Sequence, residues 1–260
     1  MKITTTNVIA NVTPTIITGI STDLAKNITD RDFSVSYTSS DQFRLTADFG
    51  ATGVINYIAV AGTNIEGNKD GTSRVRVTDG GTIVGTINVS TNQVVVISFP
   101  EQSFTNLRIG LFNQAGTEAP VLTYAAAGVM IDVPNGGEIA GYSRQFLTRN
   151  IKQRTTVNNV GAPTAAIQKR VALKGTLNLP NMTKSFSENE WQDFLDFAYS
   201  NHFFILERDD DDEGVENNVN SGINPSAYLA YESTASKATA HAQTRELNNL
   251  AISYKVFTGL

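Results

Sequence analysis

Short segments in which apolar and polar residues alternate dominate the first half of the sequence. Examples are residues 43–49, 73–78 and 107–112, which are followed by glycine, aspartate and asparagine, respectively. A period of two places every second side chain on the same face of a β-strand. Segments 54–61 and 94–99 are almost entirely apolar, which is typical of central strands. Short strands separated by turn residues predict an antiparallel, jelly-roll-like β-sandwich.

The second half contains the clearest helix pattern. Apolar residues recur at i, i+3, i+4 and i+7, namely at Trp191, Phe194, Leu195 and Ala198. This spacing predicts one amphipathic helix over about 187–200, with Trp191 in the core. Ser187 and Glu190 have the spacing of a capping box at its start. Buried or alternating segments predict strands at 171–179, 203–206, 228–231 and 250–257.

A turn-forming cluster, Pro134-Asn135-Gly136-Gly137, separates these two patterns. We therefore predict a mainly β protein with two domains, a β-sandwich over 1–136 and a second β-rich domain with one helix over 137–260. The polar tracts 155–166 and 209–226 are expected to be exposed loops, because they contain too few apolar residues to form a core.

Charge is concentrated in one segment. The net charge is −5, and residues 207–216 alone carry seven acids and one arginine, so the other 250 residues sum to +1. No basic stripe is evident, and nucleic-acid binding is not expected. Cysteine is absent, the N-terminus lacks the apolar segment of a signal peptide, and no apolar run of about 18 residues predicts a membrane span.

The acidic run resembles a calcium site in part, because calcium is bound by several oxygen ligands at close range. Asp209, Asp211 and Glu213 alternate, and Gly214 takes the sixth position of an EF-hand loop. The twelfth position, which needs a bidentate glutamate, is Asn220. We therefore expect a solvated acidic loop and no bound metal or cofactor, with these three residues as weak candidates.

Catalytic constellations are missing from the sequence. The two histidines, His202 and His241, do not have metal-ligand spacing, and without cysteine a nucleophile–histidine arrangement has only scattered serines to draw on. Glycines at 62, 67 and 71 are followed by neither a helix nor a Gly-Lys-Ser/Thr sequence, so they predict β-turns. An enzyme is not expected. Tyr37 and Tyr124 are candidates for exposed aromatics that stack on sugars.

Two segments of the first half carry a family resemblance. The strand Phe43–Phe49 with Gly50, and the segment Val54–Ile65 that ends in a Gly-x-Asn-apolar corner, resemble galactose-binding-like (discoidin-type) β-sandwiches. The whole chain is similar to minor tail proteins of tailed bacteriophages, and its second half to distal tail (baseplate) proteins. The second half carries this likeness in Gly141–Arg144, the strand Val171–Leu179, and Trp191–Phe197 followed by Phe203–Leu206.

The resemblance implies a structural virion protein near the distal end of a tail, synthesised in the host cytoplasm. Its partners would be copies of itself in a symmetric oligomer, and other tail proteins. Opposite charges could pair between subunits, with contact candidates Arg149, Lys152, Arg154, Asp209, Asp210, Asp211 and Asp212. The alternative is a carbohydrate-binding module that recognises the host surface, with a site in sandwich loops 62–72 or 113–120.

Overall fold

The computed structural model describes residues 1–18, 25–30, 36–65, 73–88, 94–113, 118–134, 151–157, 163–170, 173–206, 227–235, 239–240 and 247–257. Its strands, numbered in chain order, are β1 (Lys2–Thr4), β2 (Thr15–Thr18), β3 (Tyr37–Thr38), β4 (Arg44–Asp48), β5 (Gly53–Thr63), β6 (Arg74–Asp79), β7 (Thr82–Asn88), β8 (Val95–Phe104), β9 (Leu107–Phe112), β10 (Val121–Gly128), β11 (Met130–Asp132), β12 (Ile151–Val157), β13 (Pro163–Arg170), β14 (Leu173–Thr183), β15 (Phe203–Leu206), β16 (Ala227–Ala235), β17 (Thr239–Ala240) and β18 (Leu247–Val256). The helices are a short 3-10 helix (Ala25–Thr29), α1 (Lys184–Glu188) and α2 (Glu190–Ser200).

Two of the sheets form an antiparallel β-sandwich, as predicted. The five-stranded sheet has the order β2-β4-β9-β6-β7 and the four-stranded sheet the order β3-β10-β5-β8. Their described pairings are antiparallel. Alternate side chains of both sheets meet in one core, which includes Leu45, Ile58, Val60, Val77, Ile97 and Ile109.

The four-stranded sheet is buried on both of its faces. Ile58 and Val60 of β5 point into the sandwich core, whereas Tyr57, Ala59 and Ala61 face a third sheet. That third sheet has the order β11-β1-β15-β16-β18-β14, with β17 paired to β18. Burial on two faces explains why β5 is nearly continuously apolar.

The helical segment covers the far face of the seven-stranded sheet. Trp191 and Phe194 of α2 contact each other with ring centroids 4.9 Å apart, and Phe194 meets Phe203 of β15 edge-on at 5.2 Å. Phe204, the next residue, points to the opposite face and joins the interface with the sandwich. The predicted helix, its end near Ser200 and the buried strand 203–206 are confirmed.

The predicted capping box is wrong. Ser187 lies inside α1 and is buried, so it does not begin the helix. The N-cap is Thr183, whose Oγ1 accepts a hydrogen bond from the backbone N–H of Phe186 at 3.3 Å. Glu190 begins α2 after Asn189, which makes no side-chain capping bond.

Two other expectations need correction. The tract 155–166 was expected to be a loop, but most of it belongs to the β12–β13 hairpin, which is paired from Ile151↔Arg170 to Val157↔Pro163. The strand β10 was not predicted at all.

The division into domains at 136/137 stays a prediction. The N-terminal strand β1 pairs with β11 and β15 in the seven-stranded sheet.

Candidate functional site

Four arginines from three neighbouring strands lie on the outer face of the five-stranded sheet. The residues that alternate with them along the strands, such as Leu45, Val75 and Ile109, are buried in the sandwich core. The arginines therefore point outward. We call this surface the arginine face and define it by its outward residues, which are Arg44, Thr46, Asp48, Arg74, Arg76, Thr78, Arg108, Gly110 and Phe112. With four arginines and one aspartate, its formal charge is +3.

Phe112 lies at the centre of this face. In the ladder it pairs with Arg44 on β4 and with Arg74 on β6. Its ring leans along β9 over Gly110, where an added Cβ would lie 2.9 Å from the ring atom Cε2. Because Gly110 pairs with Arg76, the ring lies beside both β6 arginines. The guanidinium carbons of Arg74 and Arg76 lie 5.2 and 5.0 Å from the ring centroid, within cation–π distance.

The positive charge of this cluster is only partly balanced. Asp48 binds Arg108, with 2.8 Å between Oδ2 and Nε. Arg44, Arg74 and Arg76 form no ion pair with a described residue. The Nε atoms of Arg74 and Arg76 are buried without a hydrogen-bond partner. Burial, followed by the charge of Arg74, lowers the pKa of Arg76.

This arrangement can bind an anion or a hydroxyl-rich surface. A guanidinium offers several N–H donors in a rigid fork, and Thr46 and Thr78 add hydroxyl groups. Among the described residues, no group of three or more acidic or histidine side chains could hold a metal ion. None of the described helices is long and apolar enough to cross a membrane.

The aromatic residues expected at a sugar site are not exposed. Tyr37 is 1% and Tyr124 is 2% exposed, so that expectation is wrong. The ring of Tyr124 stacks on Phe204 at 6.1 Å and meets His202 edge-on at 5.6 Å, in the interface between the sandwich and the third sheet. Trp191, 1% exposed, is a core residue as predicted.

The described parts of the two candidate sugar loops are held together by Asn64. Its amide nitrogen donates to the carbonyl of Ala119 at 2.9 Å, and its amide oxygen accepts from the backbone N–H of Val121 at 2.7 Å. Asn64 therefore fixes the corner between β5 and β10 and has both ends of its amide occupied. Residues 66–72 and 114–117 lie outside the described part of the chain.

Several predicted site residues also fall outside the described residues. These are Arg149 and the acidic run with Asp209, Asp210, Asp211, Asp212 and Glu213; His241, for which no catalytic role is expected, lies outside the described residues as well. Lys152 and Arg154 are placed on β12, which pairs with β13. The proposed pairing of these basic and acidic segments thus stays a prediction.

The alternation within residues 73–78 puts Arg74 and Arg76 on the face opposite to Val75 and Val77, but it does not identify a site. The alternation Arg-Val-Arg-Val was visible, yet it concerns a single strand. The cluster depends on β9 lying between β4 and β6, which brings Arg44 and Phe112 beside Arg74. Strand order and register were the missing information.

No family model matches the sequence, and no curated protein matches it. Solved structures give partial overlaps. Chitosan-binding module 1 from the chitosanase/glucanase of Paenibacillus sp. IK-5 is 13% identical and covers 47% of this chain and 98% of its own, with a TM-score of 0.35. The CBM32 of AlyQ in complex with 4,5-unsaturated mannuronic acid is 23% identical and covers 45% and 93%, with a TM-score of 0.32. CBM32-3 from a family 31 glycoside hydrolase of Clostridium perfringens is 14% identical and covers 44% and 87%, with a TM-score of 0.35. These values are too low for a fold family or a ligand to be inferred from them.

Proposed function

We propose that the chain is a non-catalytic binding protein whose arginine face recognises carbohydrate. The observation that carries this proposal is the cluster of Arg44, Arg74 and Arg76 around Phe112, without a protein carboxylate to pair with among the described residues. A flat sheet surface rich in N–H and O–H donors suits an extended ligand that presents many oxygen acceptors. Carbohydrate fits this description, since its hydroxyl and ring oxygens accept hydrogen bonds.

The composition of the face also suits a sugar chain that lies across the strands. Each of the strands β4 and β6 adds one outward threonine hydroxyl, of Thr46 and Thr78, to its guanidinium groups. Ile83, which pairs with Thr78 and is 54% exposed, adds an apolar area at the side of the same sheet. Although the overlapping solved structures include carbohydrate-binding modules, the overlap is low, and the proposal stands on the arginine face itself.

A glycan array with neutral and acidic glycans tests this function. The informative variant is Arg74→Gln/Arg76→Gln, which removes two charges from the centre of the face. Its matched control is Lys26→Gln/Lys184→Gln, which removes two charges from helices that are not part of this sheet. We expect the native protein and the control to bind the same glycans and the arginine variant to lose them. Glycan binding that the arginine variant retains in full would refute the proposed site.

A second candidate function is a structural component of a bacteriophage tail, present in the virion near its distal end. The observation that favours it is β14, the outermost strand of the seven-stranded sheet. This strand spans 11 residues and pairs with β18 on one side, whereas no described strand pairs with its other side. An unpaired edge can extend a sheet into another subunit, as the assembly of a closed ring requires.

Light scattering of the purified chain, together with imaging of phage particles, distinguishes this candidate. A tail component would form a discrete closed oligomer and would occupy a ring of density at the tail tip. Charge reversal of Asp209, Asp210, Asp211 and Asp212 would weaken that oligomer and its dependence on salt. A chain that is monomeric at all concentrations and absent from particles would eliminate the tail function but not the glycan-binding function.

A further inference from the structure

We propose that Arg74 and Arg76 form a carboxylate subsite, so that the carbohydrate bound by the arginine face is an acidic glycan, such as one built of uronic acids. This inference rests on the function proposed above and specifies its ligand class. The subsite consists of the two β6 guanidinium groups beside the Phe112 ring, with Arg44 paired to Phe112 from the neighbouring strand β4.

The first reason is the balance of charge. Arg74 and Arg76 are two residues apart on one strand, so their side chains leave the same face of the sheet. Like charges held close together are unfavourable, and the only described carboxylate of the face, on Asp48, is bonded to Arg108. Burial is the larger cause of the lowered pKa of Arg76, and the charge of Arg74 is the second cause. One carboxylate that contacts both guanidinium groups would offset this repulsion.

The second reason is orientation. The Phe112 ring is within 5.2 Å of both guanidinium carbons, which restricts where these long side chains can lie. Arginine side chains lose rotamer entropy when they are ordered, so part of this cost is already met before a ligand binds. A guanidinium binds a planar carboxylate through two parallel hydrogen bonds, and such charge-assisted bonds are stronger than those to neutral hydroxyl groups.

The third reason is that Gly110 leaves room for the ring. An alanine Cβ at this position would come within 2.9 Å of Cε2 and 3.3 Å of Cζ of Phe112. Since these atoms are the far end of a side chain on the outer face, the ring would move aside and the backbone would keep its place. Gly110→Ala is thus a variant that disturbs the position of Phe112 relative to the two arginines and leaves every charge in place.

The test compares binding of polygalacturonate with that of its fully methyl-esterified form, which has the same backbone without free carboxylates. We expect the native chain to bind polygalacturonate at least about tenfold more tightly, a difference of about 1.4 kcal/mol, because charge-assisted hydrogen bonds are stronger than those to neutral groups. Isothermal titration of Arg74→Gln/Arg76→Gln should show that this preference is lost, while Lys26→Gln/Lys184→Gln retains it. Gly110→Ala should lower the preference without a change in net charge.

Each other outcome overturns a distinct part of the account. Equal binding of the ester and the free acid, lost in the arginine variant, would refute the carboxylate subsite and keep carbohydrate binding at this face. Equal binding of dextran sulfate and polygalacturonate would show attraction by charge alone and would also refute the subsite. If no glycan binds and the arginine variant instead alters self-association, the proposed function fails together with the subsite, and the face is a protein contact.

Discussion

Asp79 shows at the scale of one residue how a charge stabilises the sandwich. Its Oδ1 accepts hydrogen bonds from the backbone N–H groups of Thr105 and Asn106, at 3.0 and 2.8 Å, and from the Thr105 hydroxyl at 3.1 Å. It thereby joins the β6–β7 turn, with its glycines 80 and 81, to the turn before β9. The hydrogen bond from Asn106 is the largest cause of a lowered pKa for Asp79.

This lowered pKa predicts a pH-dependent contribution to stability. A folded-state pKa below the unfolded value of about 3.9 means that the stabilisation is present above that pH and is lost as the pH falls through the folded pKa. Asp79→Asn should therefore lower Tm at neutral pH, and the difference from the native chain should shrink below about pH 4. Thermal unfolding measured from pH 2 to pH 8 checks this.

The matched control for Asp79 is Glu101→Gln. Glu101 is an exposed carboxylate on β8 that accepts no hydrogen bond from the described residues. Its substitution should leave the dependence of Tm on pH close to that of the native chain. A constant difference between Asp79→Asn and the native chain at every pH would mean that the charge of Asp79 does not contribute.

At the scale of elements, the helical segment has two candidate N-caps, the observed Thr183 and Ser187, which was expected from the sequence. Thr183→Val keeps the shape of the side chain but removes the hydroxyl that accepts from Phe186, so it should cost about 1 kcal/mol of unfolding free energy. Ser187→Ala, at the cap expected from sequence, removes a buried hydroxyl but no capping hydrogen bond, so it should cost less than Thr183→Val. Urea denaturation of both variants measures the difference. A larger loss from Ser187→Ala than from Thr183→Val would contradict the observed cap.

The strands show what sequence can and cannot predict. Alternation in β4, β6 and β9 was sufficient to predict each strand and its inward face, because the period of two has one physical cause. β10 was missed because its run Ala125-Ala126-Ala127-Gly128 has low strand propensity. The surroundings decide its structure, since Ala125 and Ala127 face the sandwich core and Ala126 faces the third sheet.

The arginine face could not be predicted from the sequence, for a related reason. Arg44, Arg74 and Phe112 are far apart along the chain and become neighbours only through the order β4-β9-β6. Alternation predicts on which side of its own strand a residue lies, but it does not predict which strands are neighbours in the sheet. A site made of single residues from three strands has no sequence motif.

At the scale of the whole molecule, three sheets and a helical layer share three cores. Phe204 joins two of the layers, because it is fully buried between β15 and the four-stranded sheet. Phe204→Ala should lower the free energy of unfolding by about 3–5 kcal/mol, the usual cost of deleting a buried ring. Tyr199→Ala, at a residue of α2 that is 62% exposed, should change it by less than about 0.5 kcal/mol.

Denaturation followed by the fluorescence of Trp191, the single tryptophan, measures both variants. Trp191 lies in the core between α2 and the seven-stranded sheet, whereas Phe204 lies on the other face of that sheet. A shift of the Trp191 transition by Phe204→Ala would show that the two faces unfold together. Equal stability of Phe204→Ala and Tyr199→Ala would contradict the packing of the third sheet on the sandwich.

We expect the ligand to bind on the outer face of the five-stranded sheet, in contact with Arg74 and Arg76. The most direct measurement is an NMR titration of the Nε–H signals of the arginines with trigalacturonic acid. We predict that the signals of Arg74 and Arg76 shift together and saturate with one dissociation constant, accompanied by the Phe112 ring. Saturable shifts confined to residues outside the arginine face, with Arg74 and Arg76 unchanged, would contradict the claim.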